Sequence, residues 1–134
     1  MSWDIFVQDI PLGVNSVTDI PFDFEPKPLG SHTAILAVIR AALPFADFSD
    51  DSWIRVDLPE ASMEISLGKD DPVQGFAFHV RGGHLSAAVI AEILGQLNAR
   101  AFDPGTDNGL FDIATSSESL RRWQQFRDSV LRKS

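Results

Sequence analysis

The chain has 134 residues, 44% hydrophobic and 22% charged, which excludes disordered, collagen-like and low-complexity proteins and leaves room for one packed domain, residues 1–134. Cysteine is absent, which removes disulfides, thiolate metal sites, iron–sulfur clusters and cysteine nucleophiles together. Lys and Arg number 11 against 19 Asp and Glu, a net charge of −8, so the chain repels nucleic acid and anionic membranes and neither is an expected partner.

Residues Trp3 to Gln8 alternate, with Trp3, Ile5 and Val7 on one side and Asp4, Phe6 and Gln8 on the other, which predicts a half-buried strand. Residues 10–30 contain Pro11, Gly13, Pro21, Pro26, Pro28 and Gly30, a density of breakers that forbids a long regular element. Val17, Ile20, Phe22 and Phe24 in this loop predict that it lies across the core with those side chains buried. Ser31 is a suitable N-cap for a helix that runs to about Leu43 and stops at Pro44. Between positions 34 and 43 only Arg40 is polar, so this helix is expected to be central, covered by the long loop or by the last helix.

Asp47 to Asp51 reads as a turn, and three strands follow at Trp53–Leu58, Ser62–Leu67 and Gly75–Arg81, joined by hairpin-sized links. Their alternation sends Ile54, Val56, Leu58, Met63, Ile65, Leu67, Phe76, Phe78 and Val80 to the core. Trp53, Arg55, Asp57, Glu64, Ser66, His79 and Arg81 go to the opposite face. Ser86 to Asn98 carries an apolar stripe of Val89, Ile90, Ile93, Leu94 and Leu97, and three alanines allow it close to the sheet. A short strand at Arg100–Asp103 and a turn through Pro104 to Gly109 precede a last helix. That helix opens on the capping pattern Thr115-Ser116-Ser117-Glu118 and buries Leu120, Trp123, Phe126 and Val130. The order predicts an α+β fold: a single mixed, mostly antiparallel sheet of four to five strands, two main helices on one face, and a C-terminal helix.

The charge is uneven. Residues 1–114 hold 6 basic and 17 acidic side chains, whereas residues 115–134 hold 5 and 2, so a body at −11 carries a tail at +3. Such a tail docks on its own body or on an acidic partner. Met1-Ser2-Trp3-Asp4 has no basic leader and no apolar run reaches the ~18 residues of a membrane span, so a cytoplasmic location is expected.

The run His79-Val80-Arg81-Gly82-Gly83-His84 is the most suggestive for chemistry. His79 and Arg81 share the open face with Arg55 and Glu64, and Gly82 and Gly83 would let a backbone approach a ligand ahead of the second helix. Arg55, Glu64, His79, Arg81, Gly82 and Gly83 are therefore the candidate site for an anionic small molecule. The competing reading pairs both arginines with Asp57 and Glu64 as a charge ladder and leaves the glycines only to turn the chain. Asp103 to Asp112 fails the calcium-loop pattern, because Gly105, Asn108 and Ala114 stand where ligands or the obligatory glycine belong, and it reads as a turn. Three histidines, at 32, 79 and 84, form no zinc motif, and no Gly-x-Ser-x-Gly elbow supports a Ser-His-Asp triad through His79 or His84. Neither a metal nor a cofactor is expected.

Met1-Ser2-Trp3-Asp4-Ile5-Phe6-Val7-Gln8-Asp9, Gly75-Phe76-Ala77-Phe78-His79-Val80-Arg81-Gly82-Gly83 and Ala101-Phe102-Asp103-Pro104 together resemble a family of small bacterial proteins of unassigned activity. That resemblance implies a bacterial, cytoplasmic origin and transfers no functional residue. The Asp103-Pro104 strand-turn is also similar to small α+β immunity proteins that neutralise bacterial toxins. Two functions are consistent with the chain: a non-enzymatic module that binds a protein partner through its acidic body or polar sheet face, as an immunity-type inhibitor does, or a small-molecule binder or enzyme with an anionic ligand on that face.

Overall fold

The computed structural model describes residues 3–111 and 117–133. Its elements are β1 (Trp3–Gln8), α1 (His32–Ala42), β2 (Trp53–Asp57), β3 (Ser62–Ser66), β4 (Gly75–Gly82), α2 (Ser86–Leu97), β5 (Arg100–Phe102) and α3 (Ser117–Lys133). The strands form one sheet in the order β2-β3-β4-β1-β5, and every neighbouring pair is antiparallel. The mixed character expected from sequence has a specific resolution. The β4-α2-β5 crossover does return parallel to β4, but β1 inserts between the two strands and pairs antiparallel with both.

Period-two alternation sorts the side chains as expected. Ile5, Val7, Ile54, Val56, Met63, Ile65, Phe76, Phe78 and Val80 are buried in one cluster with Ile35 and Ile39 of α1, most of α2, and Trp123 of α3. The three helices therefore pack on one face and leave the other open. Both sheet edges are covered: Asp47 exchanges backbone hydrogen bonds with Arg55 on β2, and Phe111 N–H donates to the Ala101 carbonyl on β5 at 3.0 Å. Such caps remove the free edge on which another strand could add.

The expected Ser31 cap forms, and α2 closes on a cap at a position that the sequence pattern runs through. Ser31 Oγ accepts from Ala34 N–H at 3.1 Å, and α2 ends on Asn98 in the left-handed region at φ 51°. Thr115 and Ser116 of the last capping pattern, and the side chain of Leu120, lie outside the described residues.

Two expectations need correction. The central helix is α2, packed against both α1 and α3, because its Val89, Ile90, Ile93 and Leu94 are all buried together with Ala88 and Ala91, whereas the outward positions of α1 are Thr33, Ala34, Ala37, Arg40 and Ala41, which remain exposed. The long loop also does not lie across the core. Ile20 joins a small satellite cluster with Ile10, Val14 and Leu110, but Val17 and Phe22 are exposed and Phe24 is half-buried. Its three prolines at 21, 26 and 28 hold this part of the chain extended and away from the helices.

Candidate functional site

The open face is organised around Glu64, at the centre of β3. Arg55 stands opposite it on β2 and His79 opposite it on β4, so antiparallel register alone brings the three together. A register shift between Ser62 and Met63 leaves Arg81 without a direct partner on β3, and the bulged strand aims it diagonally at the same carboxylate. Glu64 is only 9% exposed, unusual for a carboxylate, and it is saturated. Oε1 accepts from Arg81 Nη2 at 2.8 Å and faces Arg55 Nη2 at 3.6 Å, while Oε2 accepts from the Trp53 indole N–H at 2.9 Å. Two guanidinium groups and an indole compensate for burying one charge.

Beside this cluster runs a second chain of contacts. His79 Nδ1 lies 3.0 Å from Asp4 Oδ1 and Nε2 lies 3.0 Å from Ser66 Oγ. A neutral ring that donates from Nδ1 to Asp4 accepts the Ser66 hydroxyl at Nε2. The Trp53 ring stacks on the imidazole with centroids 5.6 Å apart and planes 19° from parallel. Asp4 reaches His79 because β1 neighbours β4, a long-range pairing that no local pattern announces.

The connectivity Ser66–His79–Asp4 has the order of a nucleophilic triad, but its setting does not serve acyl transfer. Ser66 sits on an interior strand that is hydrogen-bonded to β2 on one side and β4 on the other, so the backbone N–H groups around it are committed to the ladder. A tetrahedral oxyanion at Ser66 would find no pair of backbone donors there. The chain of contacts instead fixes the imidazole, and the imidazole and Glu64 together fix Trp53.

The six residues singled out in sequence thus divide. Arg55, Glu64 and Arg81 converge, and they line a cleft of about 550 Å³ whose other walls include Phe45, Asp47 and Asp57. His79 is next to them, yet it is turned to Ser66 and Asp4. Gly82 and Gly83 belong elsewhere. They line a separate hollow with Trp3 and His84, and Gly83, at φ +95°, packs so tightly that a Cβ would come within 2.5 Å of the Glu60 carbonyl oxygen. Gly83 seats the β4–α2 turn against the β2–β3 hairpin, so close backbone packing explains it, whereas a Cβ at Gly82 would meet only open space. At the cleft wall, the Ser49 backbone N–H and then its hydroxyl hold the Asp47 carboxyl below its ordinary pKa, and in the turn that follows the Ser52 hydroxyl and then its N–H do the same for Asp50.

Sequence reasoning missed three residues. Ser66 was placed on the right face with no role. Asp4 was unassigned because its partner lies 75 residues away. Glu92, within the apolar middle of α2, joins α3 to the body: it accepts from Trp123 Nε1 at 3.1 Å and pairs with Arg127 Nη1 at 2.6 Å. The basic tail therefore docks at least one cation on its own body. No protein-family model, curated protein or solved structure matches the chain. Among the described residues no helix is long and apolar enough to cross a membrane.

Proposed function

We propose that this chain is a non-enzymatic protein-interaction module, of bacterial and cytoplasmic origin, that docks a protein partner on its open sheet face in the manner of an immunity-type inhibitor. The observation that carries this reading is Trp53. Its ring is 41% exposed, yet it is held by a hydrogen bond to a buried carboxylate and by stacking on a fixed imidazole. Exposed tryptophan and arginine are the side chains that most often dominate binding energy at interfaces. Arg55 and Arg81 flank Trp53 through Glu64, and Phe6, 42% exposed, extends the apolar surface toward β1. Because these side chains are already ordered, a partner meets them with little further loss of side-chain entropy. The acidic body adds long-range attraction for a cationic partner.

The test is capture from the native cytosol by the wild-type chain and by Trp53→Ala in parallel. A partner retained by the wild type and lost with Trp53→Ala supports the reading; capture of nothing, or equal capture by both, contradicts it.

The cleft supports a second reading, a small ligand at Arg55 and Arg81. Its volume falls in the range of small-molecule sites. Asp47, Asp57 and Glu64 outnumber the two arginines, so a zwitterion suits this lining better than the simple anion expected from sequence. Thermal-shift assays with amino acids and with inorganic phosphate separate the two, and no stabilisation by either removes the ligand reading.

A further inference from the structure

The largest departure from ordinary burial lies away from the sheet. Phe22 is 107% exposed, in the run Ile20-Pro-Phe-Asp-Phe-Glu-Pro-Lys-Pro28. This run is tied down on both sides. Before it, Val17 N–H donates to the Asn108 carbonyl at 2.9 Å; towards its end, Lys27 N–H donates to Asp9 Oδ2 at 2.9 Å, and just beyond it Leu29 N–H donates to the Val73 carbonyl at 2.8 Å. Between them Phe24 N–H closes a turn on the Pro21 carbonyl at 3.0 Å, and three prolines fix φ. Phe22 is therefore displayed on a strapped loop, with Asp23 and Glu25 close to it in the chain.

The second departure is the outer side of α1. Thr33, Leu36, Ala37 and Ala41 line a shallow apolar groove of about 480 Å³, rimmed by Arg40. The Arg40 guanidinium is held 4.4 Å over the Phe48 ring, which keeps its charge at the rim. An apolar groove with one fixed cation is the chemical complement of an aromatic ring accompanied by two carboxylates.

We propose that two copies of this chain associate by exchanging these parts: Phe22 of each copy enters the α1 groove of the other, and Asp23 and Glu25 of one copy face Arg40 of its partner. Phe22 and Thr33 are eleven residues apart in sequence, so even an extended chain would separate them by no more than about 40 Å. Exchange of both contacts about a two-fold axis would close the assembly at a dimer. Neither Trp53 nor Glu64 takes part, so this association stands or falls independently of the sheet-face reading.

Sedimentation equilibrium from about 1 μM to about 1 mM protein tests it. The wild type is expected to dimerise, and Phe22→Ser, Ala37→Arg and Arg40→Glu are each expected to weaken the dimer at least about tenfold. All three positions are exposed, and circular dichroism checks that the fold is kept. The chain carrying Arg40→Glu with Asp23→Arg and Glu25→Arg is expected to recover the dimer, because the complementary charges are merely exchanged. A wild type that stays monomeric throughout, a dimer unmoved by Phe22→Ser and Ala37→Arg, or masses that climb past the dimer would each overturn the proposal.

Discussion

Two glutamates do the same chemistry in different places. Glu64 on the open sheet face and Glu92 between α2 and α3 each accept an indole N–H and each pair with arginine. The tryptophan held by Glu92, Trp123, is 0% exposed, whereas the one held by Glu64, Trp53, is 41% exposed. Around Glu92 the cluster is a finished joint between two helices, closed by the chain itself. Around Glu64 a cluster built on the same glutamate, indole and guanidinium chemistry has no covering layer among the described residues. The difference teaches that polar order by itself does not mark a structural joint; the burial of the apolar member does, and on its exposure at Trp53 rests the proposal of a docking surface.

The largest effect that would break or sharpen this contrast is on the tryptophans. Trp123→Ala should cost about 3–5 kcal/mol of unfolding free energy, because it opens a cavity in the core. Trp53→Ala should cost about 1 kcal/mol, the scale of one lost hydrogen bond at a half-exposed site. Urea titrations of both variants check this, and equal losses would remove the distinction between the clusters. Next in size are the carboxylates. Glu92→Ala leaves the largely buried Arg127 guanidinium, among the described residues, only the exposed Asp128 carboxylate at 3.5 Å, strips the buried Trp123 indole of its acceptor, and should cost about 3 kcal/mol. Glu64→Ala should cost only about 1–2 kcal/mol, because Arg55 and Arg81 can turn into water.

His79→Ala should change stability by less than about 1 kcal/mol, since its ring is replaced at a partly solvated position. It should nevertheless shift the Trp53 emission, because the stacked partner is gone; an unchanged spectrum would show that the stacking does not hold the indole. The smallest effect concerns acid. Asp47 and Asp50 both titrate below the ordinary 3.8 in the folded chain. A lowered folded pKa contributes stability that is present above the unfolded pKa and lost as the pH falls through the folded value. Asp47→Asn combined with Asp50→Asn should therefore lower stability slightly near neutrality and flatten the profile below about pH 4, where the wild type loses this contribution. Both carboxylates are exposed, so the change is small, and an identical acid limb in the variant would contradict the assignment.

Much of the open face was legible because it depends on a local rule. Period-two alternation in β2, β3 and β4 put Trp53, Arg55, Glu64, Ser66, His79 and Arg81 on one side, and the hairpin-length links put those strands next to one another. What was not legible depends on distant partners. The insertion of β1 beside β4 brings Asp4 to His79, and the bulge opposite Ser62 and Met63 sets the angle of Arg81. Gly82 and Gly83 follow Arg81 in sequence, but they line a separate hollow, and the conformation of Gly83 answers to the Glu60 backbone. The apolar run of α1 suggested a covered helix. Its outward residues are mainly alanines, and the loop expected to cover them is held away by its three prolines.

The central claim, that the Glu64 cluster is a docking surface and the Glu92 cluster an internal joint, is tested most directly by following both indole N–H groups in one spectrum. The partner captured by the wild-type chain is purified and titrated into the chain labelled with nitrogen-15. The indole N–H signal of Trp53 is expected to move or broaden as the partner saturates the chain, while that of Trp123 stays in place. A titration that shifts Trp123 and leaves Trp53 unmoved would contradict the account.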